Sequence, residues 1–151
     1  MMTELSGRYT VTLDPKGRLA IPAKFRLSFP EDQQNDIVLT RGFDPCITGY
    51  YRDSWQDFQK IFNDNQLSQE EMDIIEREFV GRKLEATFDK QGRVTLPVHL
   101  IEFAQLENLT EVTVIGVRNR IEIWNPKIYD QIRAEKERVI QELRQKLKVG
   151  P

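Results

Sequence analysis

The stretch LDPKGRLAIP at residues 13–22 recurs without a gap as FDKQGRVTLP at residues 88–97, an offset of 75. An Asp, a Gly, an Arg and a Pro are identical in the two copies, and apolar residues align with apolar residues between them. On the same diagonal, residues 37–39 meet residues 112–114, and a one-residue shift then pairs Tyr50 with Trp124. The chain therefore contains two copies of one unit.

Each copy predicts the same order of elements. Alternating apolar residues before the Asp indicate a strand, the Gly permits a tight turn, and the apolar residues after the Arg indicate a returning strand. The Pro can occupy the first position of a short helix, where its missing N–H is harmless. Two short strands follow, predicted at 37–41 and 46–51 in the first copy and at 111–117 and 120–124 in the second.

Helical sequence follows each copy. Ser54 can cap a helix from Trp55 to Phe62, and SQEE at residues 68–71 has the spacing of a capping box. Asn125 and Pro126 predict the start of a long amphipathic helix that packs on a neighbour. The predicted segments are a first unit at 8–54, a helical linker at 55–82, a second unit at 83–126 and a C-terminal helix at 127–151.

A unit of roughly 45 residues buries too little surface to fold alone. We therefore predict a mainly β fold with helices, of the α+β class, in which the two copies complete one barrel-like core about a pseudo-twofold axis. Five aromatic residues allow two interpretations, packing of a helix on the sheet, which we favour, or an exposed interface: Tyr50, Tyr51, Trp55, Phe58 and Phe62.

Composition argues against catalysis and against a metal site. Cys46 and His99 are each the only residue of their type, so an intramolecular disulfide is impossible and a thiolate zinc site is excluded. Asp14 and Asp89 could form a carboxylate pair, but no nucleophile or base accompanies them, and no P-loop or dinucleotide-binding motif is present. No apolar run approaches the roughly 18 residues of a membrane span. We predict a cytoplasmic protein that is not an enzyme and has no cofactor, metal or small-molecule substrate.

Charge is spread unevenly along a chain whose net charge is −2. Residues 14–26 contain four cations, Lys16, Arg18, Lys24 and Arg26, against one acid, whereas residues 53–78 contain eight acids against two cations. The two central helices could suggest a helix-turn-helix motif. However, Lys and Arg bind DNA by neutralising phosphates, and a helix as acidic as 68–79 would repel DNA if it were the recognition helix. The sequence predicts two faces of opposite sign.

The repeated motif places an Arg directly after the glycine of a hairpin turn. Gly17 and Gly92 permit a positive φ, and Asp14 and Asp89 can accept backbone N–H bonds that fix the turn. A guanidinium held there presents a fork of donors suited to a phosphate or to a guanine edge. The alternative is that each Arg pairs with the Asp of its own motif and only stabilises the hairpin.

Residues 12–26, TLDPKGRLAIPAKFR, and residues 89–97, DKQGRVTLP, resemble the two motifs of the MraZ family of bacterial regulators, whose members carry two SpoVT-AbrB-type units. The similarity extends over residues 114–124 and 46–55. The resemblance implies a swapped-hairpin AbrB-type barrel, a ring-like homo-oligomer, and binding to repeated promoter elements of double-stranded DNA near division and cell-wall genes. It also implies association with the nucleoid.

On this resemblance the motif cations are Lys16 and Arg18 in the first copy and Arg93 in the second. Gln91 stands at the place of Lys16, with Lys90 one step earlier, and Ile101 stands at the place of Arg26. The second copy is therefore expected to bind DNA less strongly. The six predicted contacts are Lys16, Arg18, Lys24, Arg26, Lys90 and Arg93, with Lys24 and Arg26 contacting phosphates.

The function predicted from the sequence is a sequence-specific DNA-binding transcriptional regulator, expected to act as a repressor. A rival from another class is a protein-interaction or antitoxin-like module that uses the same fold. An unpatterned apolar tail would favour the rival, but the segment after Trp124 is a regular amphipathic helix.

Overall fold

The computed structural model describes residues 4–150 and has eight strands and six α-helices in that part of the chain. Four strands belong to each copy, and they lie within one or two residues of the positions predicted from the sequence. The strands are β1 (Leu5–Thr12), β2 (Arg18–Ala20), β3 (Asp36–Arg41), β4 (Ile47–Tyr50), β5 (Leu84–Thr87), β6 (Arg93–Thr95), β7 (Glu111–Arg118) and β8 (Arg120–Trp124).

The strands form a six-stranded antiparallel sheet in the order β1-β7-β8-β4-β3-β5 and a two-stranded ribbon of β2 and β6. The first strand of each copy leaves its own unit: β1 pairs with β7 of the second copy, and β5 pairs with β3 of the first. If each strand is replaced by its equivalent in the other copy (β1 by β5, β3 by β7 and β4 by β8, and the reverse), the same strand order results, read from the opposite edge of the sheet. The mixed α+β class and the exchange of strands between tandem units are therefore both confirmed.

The registers of the strands obey the same pseudo-twofold symmetry. Leu19 pairs with its own equivalent, Val94, and Thr48 pairs with its equivalent, Glu122. The pairing of Val38 with Tyr50 in the first copy is matched by that of Thr113 with Trp124 in the second. The one-residue change of offset lies in the loop between the third and fourth strands, which is one residue shorter in the second copy.

Both copies contribute to one hydrophobic core. Its buried residues are Leu5, Leu13, Leu19, Ile21, Phe25, Phe29, Ile37, Leu39, Ile47, Tyr51, Val94, Leu96, Leu100, Ala104, Leu106, Val112, Val114, Ile121 and Ile123. The equivalents Phe25 and Leu100 are both completely buried. The expectation of a shared core is therefore confirmed.

The helices are α1 (Ala23–Ser28), α2 (Arg52–Asp64), α3 (Gln69–Ile75), α4 (Val98–Phe103), α5 (Pro126–Glu135) and α6 (Glu137–Lys146). A π-helical turn at Glu76–Val80 continues α3. The capping box at Ser68 and Glu71 is present, and the side chain of Asn125 accepts hydrogen bonds from the first turn of α5. None of these helices has an apolar stretch long enough to cross a membrane.

Three local predictions about helix ends are wrong. The helix predicted from Trp55, with Ser54 as its cap, begins three residues earlier, at Arg52. The reason is that Gln33 accepts a hydrogen bond from the backbone N–H of Asp53, whereas the Ser54 hydroxyl donates to the carbonyl of Tyr51. Pro22 and Pro97 stand one residue before their helices in extended conformations. The predicted long C-terminal helix is divided at Lys136 into α5 and α6.

The aromatic residues after the fourth strand of each copy pack helices against the sheet. Tyr50 lies 5.6 Å from Trp55 in the first copy, and Trp124 lies 5.2 Å from Tyr129 in the second. These pairs are equivalent at an offset of 74. Trp55 and Tyr50 are buried together with Val38, and Phe58 packs against them. Packing of helix on sheet is therefore the correct interpretation for Tyr50 and Trp55.

Candidate nucleic-acid interface

The ribbon of β2 and β6 has one buried face and one open face. Leu19 and Val94 point into the core, where both are buried. Because paired residues of antiparallel strands lie on the same face and alternate residues on opposite faces, the open face carries the other two pairs, Arg18 with Thr95 and Ala20 with Arg93. The ribbon thus presents two arginines related by the pseudo-twofold axis, diagonal neighbours whose Cα atoms are about 7–8 Å apart.

Each arginine follows a glycine turn that is fixed by an aspartate. Gly17 has φ of 78° and Gly92 has φ of 76°, the left-handed conformation that favours glycine. The carboxylate of Asp14 accepts hydrogen bonds from the backbone N–H groups of Lys16 and Arg18 at 2.9 and 2.8 Å. Asp89 makes the same two bonds in the second copy, at 2.8 and 2.9 Å.

Each turn is also bound to the residue that directly follows the ribbon strand of the other copy. The N–H of Leu96 donates to the carbonyl of Gly17 at 2.8 Å, and the N–H of Ile21 donates to the carbonyl of Gly92 at 3.1 Å. These two bonds are symmetry equivalents. Because both turns are held from two sides, the arginines that follow them have defined positions on the ribbon.

The guanidinium groups divide their donors between the turn and the surface. Arg18 donates through Nε to Asp14 at 2.6 Å, and Arg93 donates through Nε to Asp89 at 2.9 Å. Within residues 4–150 no acceptor contacts the Nη nitrogens of either arginine, and about a third of each side chain is exposed (35% and 30%). The pairing with the motif aspartate is therefore present, and it leaves the outer donors of both guanidinium groups open.

The aspartates are ionised at neutral pH. The backbone N–H of Arg18, its guanidinium and the N–H of Lys16 together lower the pKa of Asp14 below that of an ordinary aspartate, against an opposing effect of burial. The corresponding groups of Arg93 and Gln91 lower the pKa of Asp89 in the same way. Each arginine is thus held by a charged acceptor.

Arg26 lies on the turn of the other copy. Its guanidinium occupies the space above Gly92, where a Cβ would come within 2.7 Å of its Cζ, and its Nε donates to the carbonyl of Ile21. The ring of Phe88 lies 5.8 Å from the guanidinium. Ile101, the equivalent of Arg26, covers Gly17 instead. The cation missing from the second copy is thus replaced by one from the first.

The three lysines are exposed but lie at different places. Lys16 and Lys90 stand within the two turns, beside the ribbon. The ammonium of Lys24 lies over β1, 3.6 Å from the position of a Cβ on Gly7. At about 3.3 Å per residue, Gly7 is roughly 20 Å along the strand from Asp14. The structure therefore does not bring Lys24 to the turn of its own copy.

The residues with possible metal or redox chemistry form no site. Cys46 is buried, and burial raises the pKa of its thiol well above the ordinary value. His99 is exposed on α4. Within residues 4–150, no three His, Cys, Asp or Glu residues are placed to hold a metal ion.

Two ribbon positions were not identified from the sequence. Ala20 and Thr95 are exposed between the arginines, on the same open face. The alternation of large apolar residues with other residues after each turn indicates that Ala20 and Thr95 face outward. It does not show that β2 pairs with β6. The reach of Arg26 to Gly92 left no local signal, because it joins residues 66 positions apart.

Fold and site together define a tandem-repeat α+β protein whose two copies exchange strands and present a paired-arginine ribbon. The sequence model of a family described as "MraZ protein, putative antitoxin-like" matches residues 5–78 and again residues 79–148. A protein of Cytophaga hutchinsonii named "Transcriptional regulator MraZ" is 38% identical over 130 residues, which cover 83% of this chain and 82% of that protein. The chain belongs to the MraZ family. The segment boundaries given above remain predictions.

Proposed function

We propose that this chain is a transcriptional regulator that binds double-stranded DNA through the open face of the β2–β6 ribbon. The observation that carries the proposal is the pair of symmetry-related arginines, Arg18 and Arg93, each held by its Asp and each with free outer donors. The major groove of DNA admits a two-stranded antiparallel ribbon. A guanidinium fork suits either guanine or phosphate there.

The proposal divides the six cations into five that lie at the ribbon and one, Lys24, that lies apart from it. The first turn carries Lys16 and Arg18, and the second carries Lys90 and Arg93, with Arg26 beside it. The presence of Arg26 there revises the expectation of a weaker second copy, and we infer comparable contributions from both turns. Lys24 lies apart from the ribbon, so its proposed role is limited to a phosphate at the edge of the interface.

The finer parts of the proposal come from the family. They are repression of its own operon within a division and cell-wall gene cluster, binding to repeated promoter elements, a ring-like homo-oligomer, and a cytoplasmic, nucleoid-associated location. The relative's name supports regulation of transcription. An oligomer would explain how a chain of net charge −2 binds DNA, because several ribbons on one DNA add their affinities through avidity. No enzymatic activity is proposed.

The test is a gel-shift titration against the DNA upstream of the chain's own operon, with scrambled DNA as competitor. We expect the unsubstituted protein to resist the competitor and Arg18→Ala to lose specific binding, a change of about 1–3 kcal/mol or more per arginine-to-base contact. Arg77→Ala is the matched control, because Arg77 is an exposed arginine in the acidic segment. Arg18→Lys keeps the charge but removes the fork, so it separates base recognition from simple phosphate attraction.

Normal specific binding by Arg18→Ala would remove the ribbon from the proposal. Absence of DNA binding by folded, unsubstituted protein would favour the second function, an antitoxin-like protein-interaction module. The family description favours that alternative by its words "antitoxin-like". In that case the next experiment is a search for a bound polypeptide.

A further inference from the structure

The C-terminal helix α6 has an apolar face that is largely open to solvent in the part of the chain that the structure describes. Val139, Ile140, Leu143 and Leu147 are each between 40% and 70% exposed, and no residue of α6 is buried. Their spacing of one, three and four residues places them on one side of the helix. An isolated helix of ten residues is marginal in water, so α6 requires a partner for its stability.

A complementary surface lies on the first copy. The groove between α2 and α3 has a volume of about 550 Å³ and is lined mostly by apolar side chains. Phe43, Ile61 and Ile74 stand at its surface with exposures of 68%, 55% and 49%. Its other lining residues are Phe58, Phe62, Asn65, Leu67, Glu71 and Ile75.

The two segments that form these surfaces have opposite net charge. Residues 53–78, which form the groove helices, contain eight acids and two cations. Residues 136–148, which form α6 and its ends, contain five cations and two acids. The groove therefore favours a basic apolar helix over an acidic one, and it disfavours nucleic acid.

The helix and the groove of one chain do not meet. Both surfaces are exposed in the same structure. Helix α5 is fixed to the strands beside it: Asp130 pairs with Arg8 of β1 at 3.1 Å, and Tyr129 packs on Trp124 of β8. Lys136 alone separates α5 from α6, so no flexible linker allows α6 to turn back.

We propose that α6 of one chain docks in the α2–α3 groove of a second copy of this chain. The inference rests on the homo-oligomer of the proposed function and assigns its contact surfaces. The contact joins different surfaces on the two partners, so each chain has one helix to give and one groove to fill. Such a head-to-tail contact builds a ring when its rotation closes.

The test measures molar mass by light scattering during gel filtration, without DNA. The unsubstituted chain should run as a multiple of 17.8 kDa. Leu143→Glu on the helix and Ile61→Glu in the groove should each lower the mass toward 17.8 kDa. Both positions are exposed, so neither change should affect the fold of the chain.

Matched controls place the same Glu away from the two surfaces. Gln145→Glu lies on the opposite side of α6 from the apolar face, and Gln56→Glu is an exposed position of α2 outside the groove lining. Both controls should keep the mass of the unsubstituted protein. A mixture of Leu143→Glu and Ile61→Glu should form a 1:1 complex, because one chain keeps the groove and the other keeps the helix.

Three outcomes would overturn the proposal, and they differ in meaning. An oligomer that persists in Leu143→Glu or in Ile61→Glu refutes the docking but leaves the homo-oligomer intact. Two variants that are monomers and do not combine with each other refute the pairing of these two surfaces. Unsubstituted protein that remains at 17.8 kDa at high concentration refutes both the docking and the proposed oligomer.

Discussion

At the scale of single residues, the aspartate of each motif determines how its arginine can be used. Asp14 engages only the Nε edge of Arg18, and Asp89 does the same for Arg93. The outer edge of each guanidinium stays available, so the pairing with Asp orients the arginine toward a partner. The structural and functional interpretations of the motif are thus compatible.

The lowered pKa values of Asp14 and Asp89 predict where acid acts on the turns. An aspartate in an unfolded chain has a pKa of about 3.9. Because the folded values lie lower, the stabilisation by these carboxylates is fully present above about pH 4 and is lost as the pH falls through the folded pKa. The measurement is the NMR chemical shift of the backbone amide protons of Arg18 and Arg93. Ionisation of the two aspartates should not change these shifts between pH 5 and 8, and the shifts should titrate in acid with midpoints below about 3.9.

Asp14→Asn is the control for that titration. It should abolish the acid transition at Arg18 and leave the transition at Arg93, because the two aspartates act in separate turns. Midpoints at or above about 4 would contradict the account of ionised, hydrogen-bonded carboxylates.

Much of the residue scale could be predicted from the sequence, because turn chemistry is local. Gly17 and Gly92 have the positive φ that the motif requires, and the motif itself contains the aspartate that binds the turn. The position of Arg26 over Gly92 could not be predicted, since it depends on how the two copies pack. Likewise, Ser54 is a poor guide to the start of α2, because a distant side chain, Gln33, binds the backbone there.

At the scale of elements, the exchange of β1 and β5 explains why neither copy is complete. Strand β1 follows β7 over eight pairs, from Leu5 with Arg118 to Thr12 with Glu111. The two strands approach closely at Gly116, where a Cβ would come within 2.6 Å of the backbone nitrogen of Ser6. The glycine is therefore required by the exchanged strand.

Gly116→Ala should destabilise the protein by about 1–3 kcal/mol, the usual cost of inserting an extra methyl group into a well-packed place. The reason is that the atoms nearest to the added methyl group include backbone atoms of β1, which cannot move without disturbing the pairing of the strands. The measurement is the midpoint of urea unfolding. Gly150→Ala is the matched control, because a Cβ there meets nothing within 4 Å, and it should leave the midpoint unchanged. Equal midpoints for the two variants would contradict the close approach.

The order of elements could be predicted because each copy repeats the same local pattern, but strand partners could not. Periodicity identifies β2 and β6 as strands, yet nothing in their sequences shows that they pair with each other. The interruption at Lys136 was missed because the apolar spacing of the C-terminal segment continues across it.

At the scale of the whole molecule, strand exchange makes the two copies one folding unit. The core contains residues of both copies, and each glycine turn is hydrogen-bonded to the backbone of the other copy. Two equivalent cation–π contacts also join the exchanged part of each copy to a helix that follows the other copy. Arg8 lies 4.9 Å from the ring of Tyr129, and Lys83 lies 5.9 Å from the ring of Trp55. Separate unfolding of one copy would break all of these contacts.

The chain should therefore unfold in one cooperative transition. Its two tryptophans are buried in different places: Trp55 of α2 packs on Tyr50 of the first copy, and Trp124 lies in β8 of the second, so they report on the two copies separately. In Trp55→Phe and in Trp124→Phe, the urea transition of the remaining tryptophan should coincide with that of the backbone circular dichroism of the same variant. A tryptophan transition displaced from the circular dichroism in either variant would contradict a single folding unit.

The central claim is that the open face of the ribbon contacts DNA, and site-directed photocrosslinking tests it most directly. Ala20→Cys places a thiol for a photoreactive reagent between the arginines, and Gln69→Cys places one on acidic α3. Cys46 should not react, because it is buried and its thiol pKa is raised. With promoter DNA we expect a crosslink from Ala20→Cys and none from Gln69→Cys or the unsubstituted chain. A crosslink from Gln69→Cys without one from Ala20→Cys would contradict the account.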